Sequence, residues 1–160
     1  MRKGILFLLS LSAAAFISSC ASSSADYSPE KIIALERAAL DRWGKGDPQG
    51  YLELMAEEMT YFDPTQESRV DGLQAMKDFI IPLTGKIKVD RYEMIKPHVQ
   101  RDGNMAVLTY NLISTVTPPD RPGPLNVRWN STEVYRRIDG NWKIVHSHWS
   151  YIKPALKESS

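Results

Sequence analysis

The stretch WKIVHSHWS, residues 142–150, decides the fold of this chain. It is β-rich and carries large side chains on both faces, because alternate residues of a strand point to opposite sides. A second stretch, YFDP at residues 61–64, ends a short strand at a proline, which cannot donate to a sheet. Together they predict a small curved sheet that encloses a pocket, with the carboxylate of Asp63 at the pocket floor.

The first predicted helix begins where Ser28 can act as the cap and Pro29 occupies the first turn, where a missing N–H costs nothing. Apolar residues then recur at helical spacing and form one stripe, made of Ile32, Leu35, Ala39, Leu40 and Trp43. Gly44 and Gly46 end this helix.

Two more helices are predicted before the main sheet. Asp47-Pro48 starts a shorter helix with Tyr51, Leu52 and Met55 inside it. After the short strand of residues 61–63, a capping box of Asp71 and Gln74 begins a third helix over 73–81.

The second half of the chain is predicted to be all strand, over residues 87–96, 105–116, 127–137 and 142–152. Residues 102–104 and 139–141 have the composition of tight hairpin turns. Residues 118–124 contain four prolines and form a stiff loop that cannot pair. Helices followed by an antiparallel meander predict an α+β domain, with helices packed on one face of the sheet.

The N-terminus predicts export. Residues 1–19 combine a basic start with an apolar stretch that is too short to span a bilayer, which is typical of a secretory signal. The sequence before Cys20 resembles a bacterial lipobox, in which the cysteine becomes the lipidated first residue. The alternative is a soluble exported protein that is cleaved nearby and has an incidental cysteine.

Lipidation at Cys20 would hold the protein on a membrane of the bacterial cell envelope, with its domain outside the cytoplasm. Residues 20–27 are serine-rich and read as a flexible tether, residues 28–153 form the domain, and residues 154–160 form a tail. Cys20 is the single cysteine, so an intramolecular disulfide is excluded. With 20 basic and 19 acidic residues, the chain lacks the charge of a nucleic-acid-binding protein.

Five motifs resemble the nuclear transport factor 2-like superfamily: residues 46–47, 61–64, 70–72, 133–137 and 148–150. The resemblance is to its SnoaL-like domains, its ketosteroid isomerases and the association domain of calcium/calmodulin-dependent kinase II. It implies a cone in which three N-terminal helices pack on a strongly bent antiparallel sheet around a pocket. It also implies a homodimer formed through the outer face of the sheet.

The resemblance to the ketosteroid isomerases assigns roles to three residues. Asp63 corresponds to their general base, Glu133 to the acid that donates a hydrogen bond to the enolate oxygen, and Trp149 to a pocket tryptophan. The oxyanion tyrosine of that family corresponds to Ala39 or Leu40, neither of which has a hydroxyl group.

Both carboxylates have a second interpretation. An aspartate before a proline often accepts backbone hydrogen bonds in a turn, so Asp63 is either a structural turn residue or a desolvated base. Glu133 is either a protonated donor in the pocket or a solvated strand residue paired with Arg128, Arg136 or Arg137.

The predicted ligand-binding residues are Trp43, Tyr61, Trp129, Tyr135, Ser147 and Trp149. Four aromatic residues also fit a purely structural role in the core, because aromatic side chains dominate burial in any domain. These four are Trp43, Trp129, Tyr135 and Trp142.

Strand alternation separates the last strand into two faces. Val145, Ser147, Trp149 and Tyr151 share one face, and Ile144, His146, His148 and Ser150 share the other. If Trp149 faces the pocket, His146 and His148 face outward, toward the sheet surface or a partner subunit. A metal site needs at least a third ligand, so we predict neither a metal nor a cofactor.

Three functions are consistent with the sequence. The first is an envelope-anchored domain that binds a small hydrophobic molecule in an aromatic pocket with an acidic floor. The second is a proton-transfer enzyme of the isomerase, dehydratase or hydrolase type, with Asp63 as base and Glu133 as acid. The third is a dimeric assembly module without catalysis.

Overall fold

The computed structural model describes residues 28–117 and 122–153. Its elements are α1 (Pro29–Trp43), α2 (Gln49–Leu52), β1 (Met55–Phe62), β2 (Val70–Asp71), α3 (Leu73–Ile80), β3 (Arg91–Asp102), β4 (Met105–Val116), β5 (Leu125–Ile138) and β6 (Asn141–Tyr151). The predicted signal, the tether with Cys20, the tail and residues 118–121 of the proline-rich loop lie outside the described residues. No helix in the described ranges has the length and apolar character needed to cross a bilayer.

The six strands form one curved open sheet in the order β2-β1-β6-β5-β4-β3. Neighbouring strands are antiparallel except β1 and β6, which are parallel. The α+β class is confirmed, but the prediction of a wholly antiparallel sheet is wrong. Turn residues in the sequence specify hairpins between successive strands, and they carry no information about a pairing between β1 and β6, whose partner residues are 86 to 89 positions apart.

The start of β1 differs from the prediction. Met55 lies in this strand rather than in the second helix, which is only the four residues Gln49–Leu52. Methionine, alanine and glutamate favour helix, but pairing with β6 buries Met55, Ala56 and Met59, and this packing decides the conformation.

The start of α3 also differs. Gly72, with φ of 85°, occupies the cap position, and no side chain caps the helix. Asp71 instead pairs with Arg69, and Gln74 donates to Asp78, so the predicted capping box is wrong. By contrast, Ser28 caps α1 as predicted by accepting from the N–H group of Lys31 at 3.3 Å.

A β-bulge in β6 changes which residues face inward. Ile144 pairs with Tyr135 and His146 pairs with Val134, so Val145 is an extra residue. Ile144 is therefore fully buried on the same face as Ser147, and its predicted place beside the histidines is wrong.

The core lies between the helices and the inner face of the sheet. Helix α1 packs against β3, and α3 packs against β1. Buried apolar side chains from both helices meet those of β4 and β6, among them Ile32, Leu40, Met76, Leu108 and Ile144. This packing leaves open the space beside α2 and the C-terminal half of β6, where a cavity lies.

Candidate functional site

A cavity of about 450 Å³ lies between the helices and the inner face of the sheet. Residues of α1, α2, β1, α3, β4, β5 and β6 contribute to its wall. One side is closed by the segment of residues 86–89, which is held against the α1–α2 connection. There the N–H group of Val89 donates to the carbonyl of Gly44, and the N–H group of Gly85 donates to that of Gly46.

The connection requires a glycine at residue 46. Gly46 has a φ of 79°, and a side chain there would lie 2.8 Å from the Cα atom of Gly85. The motif Gly46-Asp47 therefore fixes the wall of the cavity through close backbone packing.

Six of the eight residues predicted for the site line the cavity, namely Trp43, Tyr61, Asp63, Trp129, Ser147 and Trp149. Glu133 and Tyr135 do not line it, and both are fully buried behind the wall. The structure thus brings the predicted residues to one place, while their roles in binding or catalysis stay predictions.

The aromatic residues of the cavity contact one another edge to face. The rings of Trp129 and Trp149 are 5.8 Å apart at an interplanar angle of 80°, and those of Trp43 and Tyr51 are 6.1 Å apart, also at 80°. Trp149 additionally contacts the buried ring of Tyr110 at 5.8 Å. In such a contact the edge of one ring packs on the face of the other, which holds both rings in place in the cavity wall.

Asp63 is half-buried in a hydrogen-bonded turn that follows β1. The hydroxyl of Tyr61 donates to its Oδ2 at 2.6 Å, and the N–H group and the hydroxyl of Thr65 donate to its Oδ1. Burial and this bond to Asp63 raise the pKa of Tyr61, so its hydroxyl stays a donor. Both carboxylate oxygens are therefore engaged, as in the turn interpretation of this residue.

Glu133 lies neither in the pocket nor in solvent, and its environment therefore differs from both predictions. Its side chain is fully buried, and Oε1 accepts from Trp149 Nε1 at 2.8 Å, Ser147 Oγ at 2.9 Å and Ser131 Oγ at 3.3 Å. Its Oε2 has no partner among the described residues. The prediction of a solvated residue paired with an arginine is wrong, since Arg136 pairs with Glu58.

The pKa of Glu133 is raised well above its ordinary value. Burial is the largest cause and the charge of Glu36 the second, while hydrogen bonds from Ser147, Trp149 and Ser131 act in the opposite direction. Glu133 is therefore held neutral, and its bonds fix Ser147 and Trp149, two residues that do line the cavity.

Glu36 on α1 is a second fully buried carboxyl group, which the sequence analysis missed. Its Oε1 accepts from Tyr51 at 2.8 Å and from Tyr110 at 2.7 Å, and its Oε2 accepts from Tyr135 at 2.6 Å. A signal was present, because residue 36 falls within the apolar stripe of the first helix, four residues after Ile32.

Tyr135 is a donor to Glu36 and is fully enclosed, so its position does not fit the predicted contact with a ligand. Burial is the largest cause of the raised pKa values of all three tyrosines that surround Glu36. Burial likewise raises the pKa of Glu36, but its three phenol donors favour its ionised form. Of the two buried carboxyl groups, Glu36 therefore ionises before Glu133.

On the outer face of the sheet, Phe62 is 45% exposed and lies between two imidazoles. Its ring is 5.7 Å from that of His146 and 5.6 Å from that of His148. Nδ1 of His146 forms a hydrogen bond with the hydroxyl of Thr60 at 2.7 Å. The histidines face away from Trp149, as alternation predicts, and the part of the chain that the structure describes contains no cluster of three potential metal ligands.

Comparisons with known proteins agree with this architecture. The model of the SnoaL-like domain family matches residues 32–154. A provisionally assigned ketosteroid isomerase from Parabacteroides distasonis ATCC 8503 is similar in structure, with 40% identity, a TM-score of 0.69, and coverage of 81% of this chain and 91% of that one.

Two further structures show the same fold. The hub homology domain of CaMKII from Chlamydomonas reinhardtii is 26% identical, with a TM-score of 0.66, and the match covers 78% of this chain and 98% of that one. A nuclear transport factor 2-like protein of unknown function from Pseudomonas putida KT2440 is 20% identical, with a TM-score of 0.66 and coverage of 82% and 92%. No curated protein matches the sequence.

Proposed function

Because this chain belongs to the SnoaL-like domain family, we propose that it binds a small, uncharged and largely apolar molecule in the cavity. The family and its nuclear transport factor 2-like fold include ligand-binding, isomerase-like and hub proteins, so the choice among these rests on the site itself.

The observation that carries the proposal is the tryptophan-lined cavity. Its volume of about 450 Å³ lies within the usual range of about 300 to 1,000 Å³ for small-molecule sites. Trp43, Trp129 and Trp149 supply aromatic surface, the oxygens of Asp63 are already occupied by donors from Tyr61 and Thr65, and Glu133 is held neutral behind the wall. Such a site favours an uncharged ligand, because a charged group would lose its hydration without a buried counter-ion.

Calorimetric titration with uncharged aromatic compounds of the size of biphenyl tests this proposal. We expect Trp149→Ala to weaken binding at least tenfold, because it removes a wall of the cavity. Val127→Phe should also weaken binding at least tenfold, because the larger side chain fills the cavity from β5. This variant keeps the hydrogen bonds of the cavity wall. Phe62→Ala on the outer face is the matched control and should leave binding unchanged. Equal affinities in all four proteins would refute the proposal.

Proton transfer by Asp63 is the second candidate. It is favoured by the 40% identity with the provisionally assigned ketosteroid isomerase and by the position of Asp63 in the cavity wall. It ranks below binding because three donors already occupy the oxygens of Asp63. Loss of turnover by orders of magnitude in Asp63→Asn, with ligand binding retained, would reverse this order.

Self-association is the third candidate, and it can coexist with binding. It is favoured by the exposed ring of Phe62 between two histidines and by the similarity to a CaMKII hub homology domain. The proposed assembly is a homodimer formed through the outer face of the sheet, and sedimentation of the Phe62 variant described in the Discussion tests it.

We also propose that Cys20 anchors the protein by a lipid to the bacterial cell envelope, with the domain outside the cytoplasm. The support is the lipobox-like sequence at residues 17–20. Metabolic labelling with a fatty acid should mark the wild type and leave Cys20→Ala unlabelled. Equal labelling of both proteins would contradict the anchor.

A further inference from the structure

We propose that the cavity selects a ligand that carries a hydrogen-bond donor at one end and a hydrogen-bond acceptor at the other, because Ser147 and Ser114 present opposite polarities to it. This inference rests on the proposed binding function and specifies the ligand class. Both serines line the cavity, and both are nearly inaccessible, with 4% and 6% of their surface exposed.

The polarity of Ser147 follows from its neighbour Trp149. The indole N–H group can only donate, so Oε1 of Glu133, which lies 2.8 Å from it, must be an acceptor in either protonation state. Oε1 accepts from three neighbours whereas Oε2 has no partner among the described residues, so the proton of neutral Glu133 lies on Oε2. The hydroxyl of Ser147, at 2.9 Å from Oε1, is then the donor of its bond. A serine hydroxyl has one proton, and with that proton committed, Ser147 can only accept a hydrogen bond from a ligand.

The polarity of Ser114 follows from Trp129 by the same logic. Nε1 of Trp129 donates to Oγ of Ser114 at 3.0 Å, so this serine is the acceptor of that bond. Its own proton has no acceptor within the described residues. Ser114 is therefore free to donate to a carbonyl or ether oxygen of a ligand.

The two serines are well separated along the wall of the cavity. Ser147 pairs with Glu133 on β5, whereas Ser114 pairs with Val127 on the same strand. Six residues of extended strand correspond to about 20 Å, and the bend of the sheet shortens the distance across its inner face. Trp129 donates to Ser114, Trp149 shares Oε1 of Glu133 with Ser147, and the rings of the two tryptophans are 5.8 Å apart.

The ligand class that fits is therefore an elongated, uncharged molecule with an aromatic or alicyclic body. A hydroxyl or N–H group at one end would donate to Ser147, and a carbonyl or ether oxygen at the other end would accept from Ser114. The arrangement discriminates strongly, because a ligand of the reverse polarity would leave buried polar groups unpaired.

Calorimetric titration of the full chain with two matched pairs of probes tests the inference. The first pair is 4-hydroxybiphenyl and 4-methylbiphenyl, which are similar in size and differ in the presence of a donor. The second pair is 4-acetylbiphenyl and 4-isopropylbiphenyl, which differ in the presence of an acceptor. We expect the first member of each pair to bind about three- to tenfold more tightly, the value of one neutral hydrogen bond.

Ser147→Ala should abolish the preference for the hydroxy compound and keep the preference for the acetyl compound. Ser114→Ala should abolish the preference for the acetyl compound and keep the preference for the hydroxy compound. Ser131→Ala is the matched control for the first variant, because Ser131 donates to the same oxygen of Glu133 but does not line the cavity. It should keep both preferences.

The outcomes separate this inference from the binding function. If all four probes bind and neither pair shows a preference, or if Ser131→Ala acts like Ser147→Ala, the assigned polarities are wrong and the binding function stands. If no probe binds, or if Val127→Phe leaves all affinities unchanged, the binding function fails for molecules of this class and the inference fails with it.

Discussion

The charge of Glu36 is, after burial, the largest cause of the raised pKa of Glu133, so the two buried carboxyl groups are linked across the core. All of their hydrogen-bond partners are neutral hydroxyl or indole groups. Two negative charges in one buried region without a cation are costly. The pair therefore retains a proton, and Glu133 is the group that holds it.

We expect the stability of the domain to fall as the pH rises above the ordinary glutamate value of 4.5. The pKa of Glu133 is higher in the folded state, so its contribution is fully present below the unfolded pKa. It is lost as the pH passes through the folded pKa, at up to about 1.4 kcal/mol per pH unit for one proton. Urea unfolding of the wild type between pH 5 and pH 9 measures this loss.

Glu133→Gln, which cannot ionise, should flatten that pH dependence and be more stable than the wild type at pH 9. The exposed residue Glu93 supplies the control, because Glu93→Gln should leave the profile of the wild type in place. Parallel profiles for wild type and Glu133→Gln would show that Glu133 ionises as readily in the folded chain as in the unfolded one.

We expect Tyr135→Phe to destabilise the domain by about 1 to 3 kcal/mol, because it leaves the buried Oε2 of Glu36 without its donor. Tyr92→Phe is matched in chemistry but removes an exposed bond to Asp41, and it should change the free energy of unfolding by less than about 0.5 kcal/mol. Urea unfolding at pH 7 compares the two. Equal effects would mean that the hydroxyls around Glu36 contribute no more than a surface bond.

We expect Asp63→Asn to lower stability by about 1 kcal/mol, because the amide cannot accept at both positions that Tyr61 and Thr65 now occupy. Asp78→Asn, at an exposed helix position, is the control and should be close to neutral. The measurement is again urea unfolding at pH 7. A gain in stability for Asp63→Asn would restore the hypothesis of a desolvated base, since functional carboxylates commonly cost stability.

We expect self-association to weaken as the pH falls from 8 to 5.5, because His146 gains a charge at the proposed interface. Burial, the charge of His148 and that of Arg69 lower the pKa of His146, so its own protonation comes at the acidic end of this range. Analytical ultracentrifugation at pH 8 and pH 5.5 measures the association constant.

Phe62→Ser should weaken association at both pH values, because it removes the apolar ring between the histidines. Ile81→Ser removes a similarly exposed apolar side chain away from the outer face of the sheet and should have no effect. Association that is independent of pH and of Phe62 would place any interface elsewhere.

Local patterns were sufficient for much of the fold. The stripe of α1, the cap at Ser28 and the hairpin at residues 139–141 depend on neighbours in the sequence, and all three were predicted correctly. In that hairpin Asp139 and Gly140 both have positive φ, of 48° and 81°, as such a tight turn requires. The resemblance of five short motifs also led to the correct family.

The features that the sequence could not predict depend on contacts between residues that are far apart in the chain. Met55–Met59 has helical composition, and only its pairing with β6 makes it a strand. Glu36 falls within the apolar stripe of α1, but its neighbours in the sequence do not show that three tyrosines, from residues 51 to 135, converge on it. Glu133 read as solvated or catalytic because the tertiary structure alone shows that Ser147 and Trp149 separate it from the cavity.

The extra residue Val145 divides the last strand into two parts with different roles. Before the bulge, Trp142 and Ile144 belong to the core; beyond it, Ser147 and Trp149 belong to the cavity. One inserted residue therefore lets a single strand serve both internal packing and the lining of the cavity. The two parts stay connected through Glu133, which Ser147 and Trp149 hold in place.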